Sequence, residues 1–129
     1  MKILRLVSTL LVVLIVGQTL FFKFTAAPES VEIFTRLGLE PHGRIGIGIA
    51  ELVAIVLLLV PRAAVFGAAL AAALMAGALF AHATRLGFAG DMGVLAGMGA
   101  VALAASLVLL WTRRRELPVV GAWFGPAAS

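Results

Sequence analysis

The chain has 129 residues, 63% hydrophobic and 12% charged, with a mean hydropathy of +1.16. Soluble chains run at about 45–50% apolar and about 25% charged, so this composition excludes a soluble globular domain and requires apolar surface facing lipid. The net charge is +4 and the pI near 11.2, but the basic residues sit mainly at the ends of apolar segments, as topology signals do, so nucleic acid is not an expected partner.

The first apolar segment is roughly Leu6–Phe22. Lys2 and Arg5 precede it, and "TAA" after it has the small residues of a signal-peptide cleavage site. Phe21, Phe22, Lys23 and Phe24 stand where small polar residues belong, and Pro28 would follow the cut. The segment is therefore read as a retained helix.

"APESVEIFTRLGLEP", residues 27–41, comes next. Pro28 suits a first helical position, with Glu29 and Glu32 in the first turn. Val31, Phe34 and Leu37 recur at helical spacing, and Gly38 stands where a C-terminal cap belongs. The spacing predicts a short amphipathic helix, lying in the interface or folded over the bundle mouth.

The second apolar segment is Ile45–Val60, which Gly43 and Arg44 can lengthen. It carries one carboxylate, Glu51, inside "GIGIAELVAIVLLLVP". Pro61 and Arg62 leave almost no loop before the third segment, Ala63–Thr84, which predicts an antiparallel hairpin. "RLGFAGD", residues 85–91, breaks the chain before the fourth segment, Met92–Trp111. Each segment is near the roughly 20 residues that cross ~30 Å of hydrocarbon as a helix. The expected fold class is an all-α membrane protein, a four-transmembrane-helix bundle with a short interfacial helix between helices one and two. Residues 1–112 form the membrane domain. Residues 113–129 are expected to be a basic, loose cytoplasmic tail, where Trp123 and Phe124 can touch the membrane surface.

Small residues fill the last two segments. Ala69, Ala73, Gly77 and Ala81 fall on one face, and Gly93 and Gly97 form a GxxxG pair. Such faces let helices approach closely, and packing within the bundle is expected ahead of a homo-oligomer contact. With both termini cytoplasmic, that side holds Lys2, Arg5, Arg62, Arg113, Arg114 and Arg115, against Lys23, Arg36, Arg44 and Arg85 outside. The positive-inside rule favours this orientation, and Trp111 beside the arginines suits an interfacial anchor.

Placed by depth, the polar residues are unevenly spread. Gln18, Lys23, Glu51, His82, Arg85 and Asp91 gather in the outer half, and the inner half has almost nothing ionisable. Glu51 lies about 10 Å along its helix from Arg44. A charge at mid-helix costs about 2.5–3.5 kcal/mol on insertion scales, so Glu51 is expected to face the bundle interior and take a partner, Lys23 or His82. A buried Lys23–Glu51 pair that only fixes helix register is one reading. The other is a pocket open to the outside, with Gln18, Lys23, Glu51, His82 and Arg85 as the candidate ligand-binding residues. For His82 alone an interfacial histidine, and for Arg85 a plain helix-end anchor, are the competing roles.

Other chemistries fit poorly. The chain has no cysteine, so disulfides, thiolate metal sites and thiol relays within it are excluded. His42, in a loop, and His82 stand far apart, which does not suit a haem or transition-metal site, and no metal is expected. "GRIGIGIAE" lacks the preceding strand and the spacing of a dinucleotide loop.

At "GQTLFFKFTAAPESVEIFTRLGLEP", "GIGIAEL" and "LMAGALFAH" the chain resembles the DoxX family of small bacterial membrane proteins. The resemblance covers roughly residues 1–112, and Lys23, Glu51 and His82 match positions of that family's pattern. It implies a four-helix bundle in the bacterial inner membrane and an association with redox systems, since relatives are named as subunits of quinol oxidase or thiosulfate–quinone oxidoreductase. No catalytic role travels with it. The expectation is an accessory, quinone-associated subunit of a redox complex. A small-molecule or lipid-binding carrier and a purely structural assembly factor are the alternatives.

Overall fold

The structure is a computed structural model and describes residues 2–116. The tail beyond Glu116, including Trp123 and Phe124, lies outside the described residues. Helix α1 spans Lys2–Phe24, α2 Pro28–Arg36, α3 His42–Leu59 and α4 Ala64–Ala81, which runs on as a π-helical turn, His82–Leu86. Helix α5 spans Asp91–Thr112 and a 3₁₀ turn follows at Arg114–Glu116. Four of these helices are long and apolar enough to cross a membrane, counting α4 with its π turn as Ala64–Leu86. Among the described residues there is no strand. The fold class is the expected one.

Element ends follow local chemistry. Helix α2 starts at Pro28, whose missing N–H costs nothing there. It ends in a Schellman motif: Leu39 N–H donates to Phe34 O at 2.8 Å and Gly38 N–H to Thr35 O at 3.0 Å. That motif needs a left-handed residue, and Gly38 supplies it at φ 74°. The α3–α4 hairpin turns within four residues, Val60–Ala63. Two boundaries differ from the sequence reading. His42 opens α3 rather than lying in a loop, and Arg85 and Leu86 belong to the π turn rather than to the break. The wider turn lets Gly87 N–H reach His82 O at 2.8 Å, and Gly87 at φ 74° then stops the helix.

The four long helices form a ring in the order α1, α3, α4, α5, with α1 packed on α3 and α5, and α4 on the same two. The core runs along the axis: Val12, Val16 and Leu20 from α1, Ala54 and Leu58 from α3, Ala68, Ala71 and Met75 from α4, Ala102 and Leu109 from α5. Alanines from α3, α4 and α5 recur among the larger side chains because membrane helices associate through close packing rather than through a hydrophobic drive. The small residue that matters most is Gly67. A Cβ there would lie 2.6 Å from Leu58 N and 2.8 Å from Ala54 O, so α4 rests directly on the backbone of α3.

This corrects the expected packing face. Ala73 and Gly77 are exposed, and no atom lies within 4 Å of a Cβ built at Gly77 or Gly97. Gly77 of the stripe and Gly97 of the glycine pair therefore sit in no close helix–helix contact, and Gly93 meets the backbone of Phe88 instead. Spacing shows which residues share a face, but not which way that face turns.

The start of α1, the end of α5 and the α3–α4 turn lie at one end of the bundle. There Arg5 Nη2 donates to Thr112 O at 2.6 Å, joining the start of α1 to the end of α5. Arg114 lies 3.9 Å from the Trp111 ring centroid in a cation–π contact. The opposite end carries α2 and the π turn.

Candidate functional site

At the α2 end the helices enclose a partly open cavity of about 1210 Å³. Helices α1, α4 and α5 supply most of its walls, α3 contributes Ile47 and Glu51, and α2 covers it. Helix α2 is held down by its apolar face, with Phe34 buried beneath it and Val31 and Leu37 half-buried. Arg36 pins its far end, donating from Nη2 to Leu86 O at 3.3 Å across to the π turn.

Glu51 is 2% exposed and is the most buried ionisable group of the described residues. Its Oε1 lies 2.9 Å from Lys23 Nζ, and Lys23 is 13% exposed. Thr19 Oγ1 lies 3.3 Å from the second carboxylate oxygen and 2.8 Å from Val16 O, sharing its one proton between them. Thr19 and Lys23 are one turn apart on α1, so both reach the same carboxylate on α3. The charge is thus compensated by a cation and a hydroxyl, which a buried carboxylate requires.

Beside this pair lies a second buried charge. Arg44 Nε donates to both Glu40 oxygens at 2.9 and 3.0 Å, and its Nη1 donates to Lys23 O. Lys23 O belongs to the last turn of α1, where carbonyls lack intrahelical partners. Arg44 therefore caps α1 while holding α3 against it. Gly48, one turn on, leaves room for the Phe24 ring, whose nearest atom would be 3.0 Å from a Cβ.

His82 is buried at the start of the π turn, and its ring stacks on Phe88 at 6.2 Å. Its Nδ1 lies 3.1 Å from Gly87 O. A carbonyl only accepts, so in the neutral ring Nδ1 carries the proton and Nε2 is left as an acceptor. Nε2 makes no hydrogen bond among the described residues.

All five sequence-derived candidates line the cavity: Gln18, Lys23, Glu51, His82 and Arg85. The structure pairs Lys23 with Glu51. It does not pair His82 with Glu51, because the ring is turned to Gly87 O by the π turn. Gln18 and Arg85 are exposed, and Arg85 touches the rest of the site through its carbonyl, 3.5 Å from Arg36 Nη2. Sequence reasoning missed Thr19, Arg36 and Arg44. The i, i+4 spacings of Thr19–Lys23 and Glu40–Arg44 were visible signals, whereas the Arg36 contact joins residues 50 apart and had none. Among the described residues no group of His, Asp and Glu is arranged to hold a metal ion.

Compared with known proteins, the chain matches the DoxX-like family model over residues 7–107. That stretch runs from the first turns of α1 almost to the end of α5 and contains the whole cavity. No curated protein and no solved structure matches it. The four-helix membrane fold and the family match agree, and the chain is a member of the DoxX-like family.

Proposed function

We propose that this protein is an accessory membrane subunit of a redox system that binds a quinone-type ligand in the cavity under α2. The observation that carries this reading is Glu51, buried in a cavity wall with Lys23 and Thr19 around it. A pair that served packing alone would need no cavity of about 1210 Å³ beside it. Lys23 keeps ammonium donors beyond the one used on Glu51, and His82 Nε2 offers an acceptor, so the wall can hold an oxygen-bearing ring. The redox association rests on the DoxX resemblance. A lipid or small-metabolite carrier would use the same cavity and is the second reading, favoured by the apolar residues that form most of its wall.

The test is the ligand that stays with the protein. Extraction in mild detergent followed by mass spectrometry is expected to recover a quinone from the wild type. Glu51→Gln is expected to lose at least tenfold of it while the melting temperature falls by only a few degrees. A retained phospholipid or metabolite in its place supports the carrier, and an empty protein sinks both.

The proposed orientation puts the termini in the cytoplasm of a bacterial inner membrane, so that the cavity faces outward. The termini end holds six Lys and Arg side chains and one carboxylate, Glu116. The α2 end holds four cations and five carboxylates. Cationic ends stay inside. Residues 1–112 are the membrane domain in this scheme, and the basic tail follows on the cytoplasmic side. The chain has no cysteine, so single-cysteine labelling reads this cleanly. In intact cells an impermeant maleimide is expected to label Glu32→Cys, and to label Glu116→Cys only after permeabilisation. The opposite pattern reverses the topology.

A further inference from the structure

The cavity reaches the lipid-facing surface. Along the α2 half of the seam between α1 and α5 its walls are Ile15, Gln18 and Phe22 on one side and Val94, Leu95 and Met98 on the other. Phe22 is 42% and Val94 63% exposed. The same two helices are closed at the other end by Arg5 and Thr112. The seam therefore opens toward hydrocarbon, while α2 covers the end that faces water, planted by Phe34 and pinned by Arg36. A ligand arriving sideways brings an apolar part that matches the seam.

The charges limit the head. Three cations and four carboxylates line the cavity, so an anionic phosphate head meets net repulsion. The remaining Lys23 donors serve a carbonyl and a hydroxyl oxygen alike, so the position that discriminates is His82 Nε2, an acceptor fixed by the Nδ1 contact to Gly87 O. An acceptor calls for a hydroxyl, and a quinone carbonyl has none to offer.

We infer that the cavity takes an uncharged, tail-bearing ligand through the α1–α5 seam and prefers its hydroxylated, reduced form, held by a hydrogen bond to His82. This rests on the ligand-binding reading of the same cavity. The tail lies between Phe22 and Val94, and the head hydroxyl donates to Nε2.

The probes are decylhydroquinone, its dimethyl ether and tail-less hydroquinone, kept reduced and measured by native mass spectrometry of the full chain in detergent. Wild type is expected to hold decylhydroquinone at least tenfold more tightly than either of the others. Val94→Trp fills the seam from an exposed position and is expected to weaken decylhydroquinone at least tenfold, with Leu107→Trp, exposed on the same helix but outside the cavity lining, within twofold of wild type. Met98→Trp serves as a second plug should Val94→Trp not fold. His82→Phe is expected to bring decylhydroquinone down to the level of its ether. Unchanged binding in a folded plug variant overturns the seam and leaves the quinone reading standing. Equal binding of the ether by wild type overturns the role of His82. Failure of wild type to bind decylhydroquinone sinks the inference and the quinone reading together.

Discussion

Lys23→Met is expected to destabilise the protein by about 3–5 kcal/mol, the usual cost of stranding one member of a buried ion pair. The effect is asymmetric. Glu51 is 2% exposed on a short stem, whereas Lys23 is 13% exposed at the end of α1 with a long, flexible one. Removing the lysine leaves a carboxylate with only the shared Thr19 hydroxyl. Removing the carboxylate in Glu51→Gln leaves an ammonium that can turn toward the interface, beside an amide that still accepts a bond. Glu51→Gln should therefore cost less than half as much. The double variant Lys23→Met with Glu51→Gln removes both charges and is expected to recover most of the loss. Thermal unfolding of the four proteins in one detergent gives the coupling directly. Equal losses for the two single variants, adding in the double, would show that the pair is not coupled.

Gly67→Ala is the second large effect. A methyl group there meets Leu58 N, Ala54 O and Leu57 C at 2.6, 2.8 and 3.0 Å. These are backbone atoms of α3, which cannot rotate aside as a side chain would. Overpacking costs about 1–3 kcal/mol, and the upper end is expected at this contact. Gly97→Ala is the matched comparison, since nothing lies within 4 Å of its Cβ. That substitution should stabilise by about 0.5–1 kcal/mol through helix entropy alone. A dimer that uses the Gly93–Gly97 face would reverse the sign at Gly97. Melting temperature and gel-filtration size, measured together, separate the two outcomes.

Much of the architecture is written in local sequence. Hydropathy alone marks four spans, and Pro28, Gly38, Pro61 and Gly87 punctuate them close to where the helices begin and end. The amphipathic stretch at Val31, Phe34 and Leu37 reads correctly because α2 has one apolar and one charged face, and only one of them can be buried. The depth of the polar residues is also legible, since rise per residue fixes it. That is why Gln18, Lys23, Glu51, His82 and Arg85 could be assigned to one end before any helix was placed.

Tertiary structure alone decided which faces meet. Helices α3, α4 and α5 are apolar all round, so their sequences carry almost no mark of an inner side. The Ala69–Ala81 stripe looked like a packing face, but its Ala73, Gly77 and Ala81 line the cavity, while Gly67, one glycine among many, took the contact with α3. Depth placed both Lys23 and His82 level with Glu51. The rotation of each helix about its own axis gave Glu51 to Lys23, and the π turn gave His82 to Gly87 O. The sequence by itself determined the membrane, the number of spans and the end at which polarity collects, because these depend on composition and on distance along one helix. The pairing, the cavity and its covering by α2 depend on rotation and on contacts between distant segments, and no local pattern encodes those when lipid and core are equally apolar.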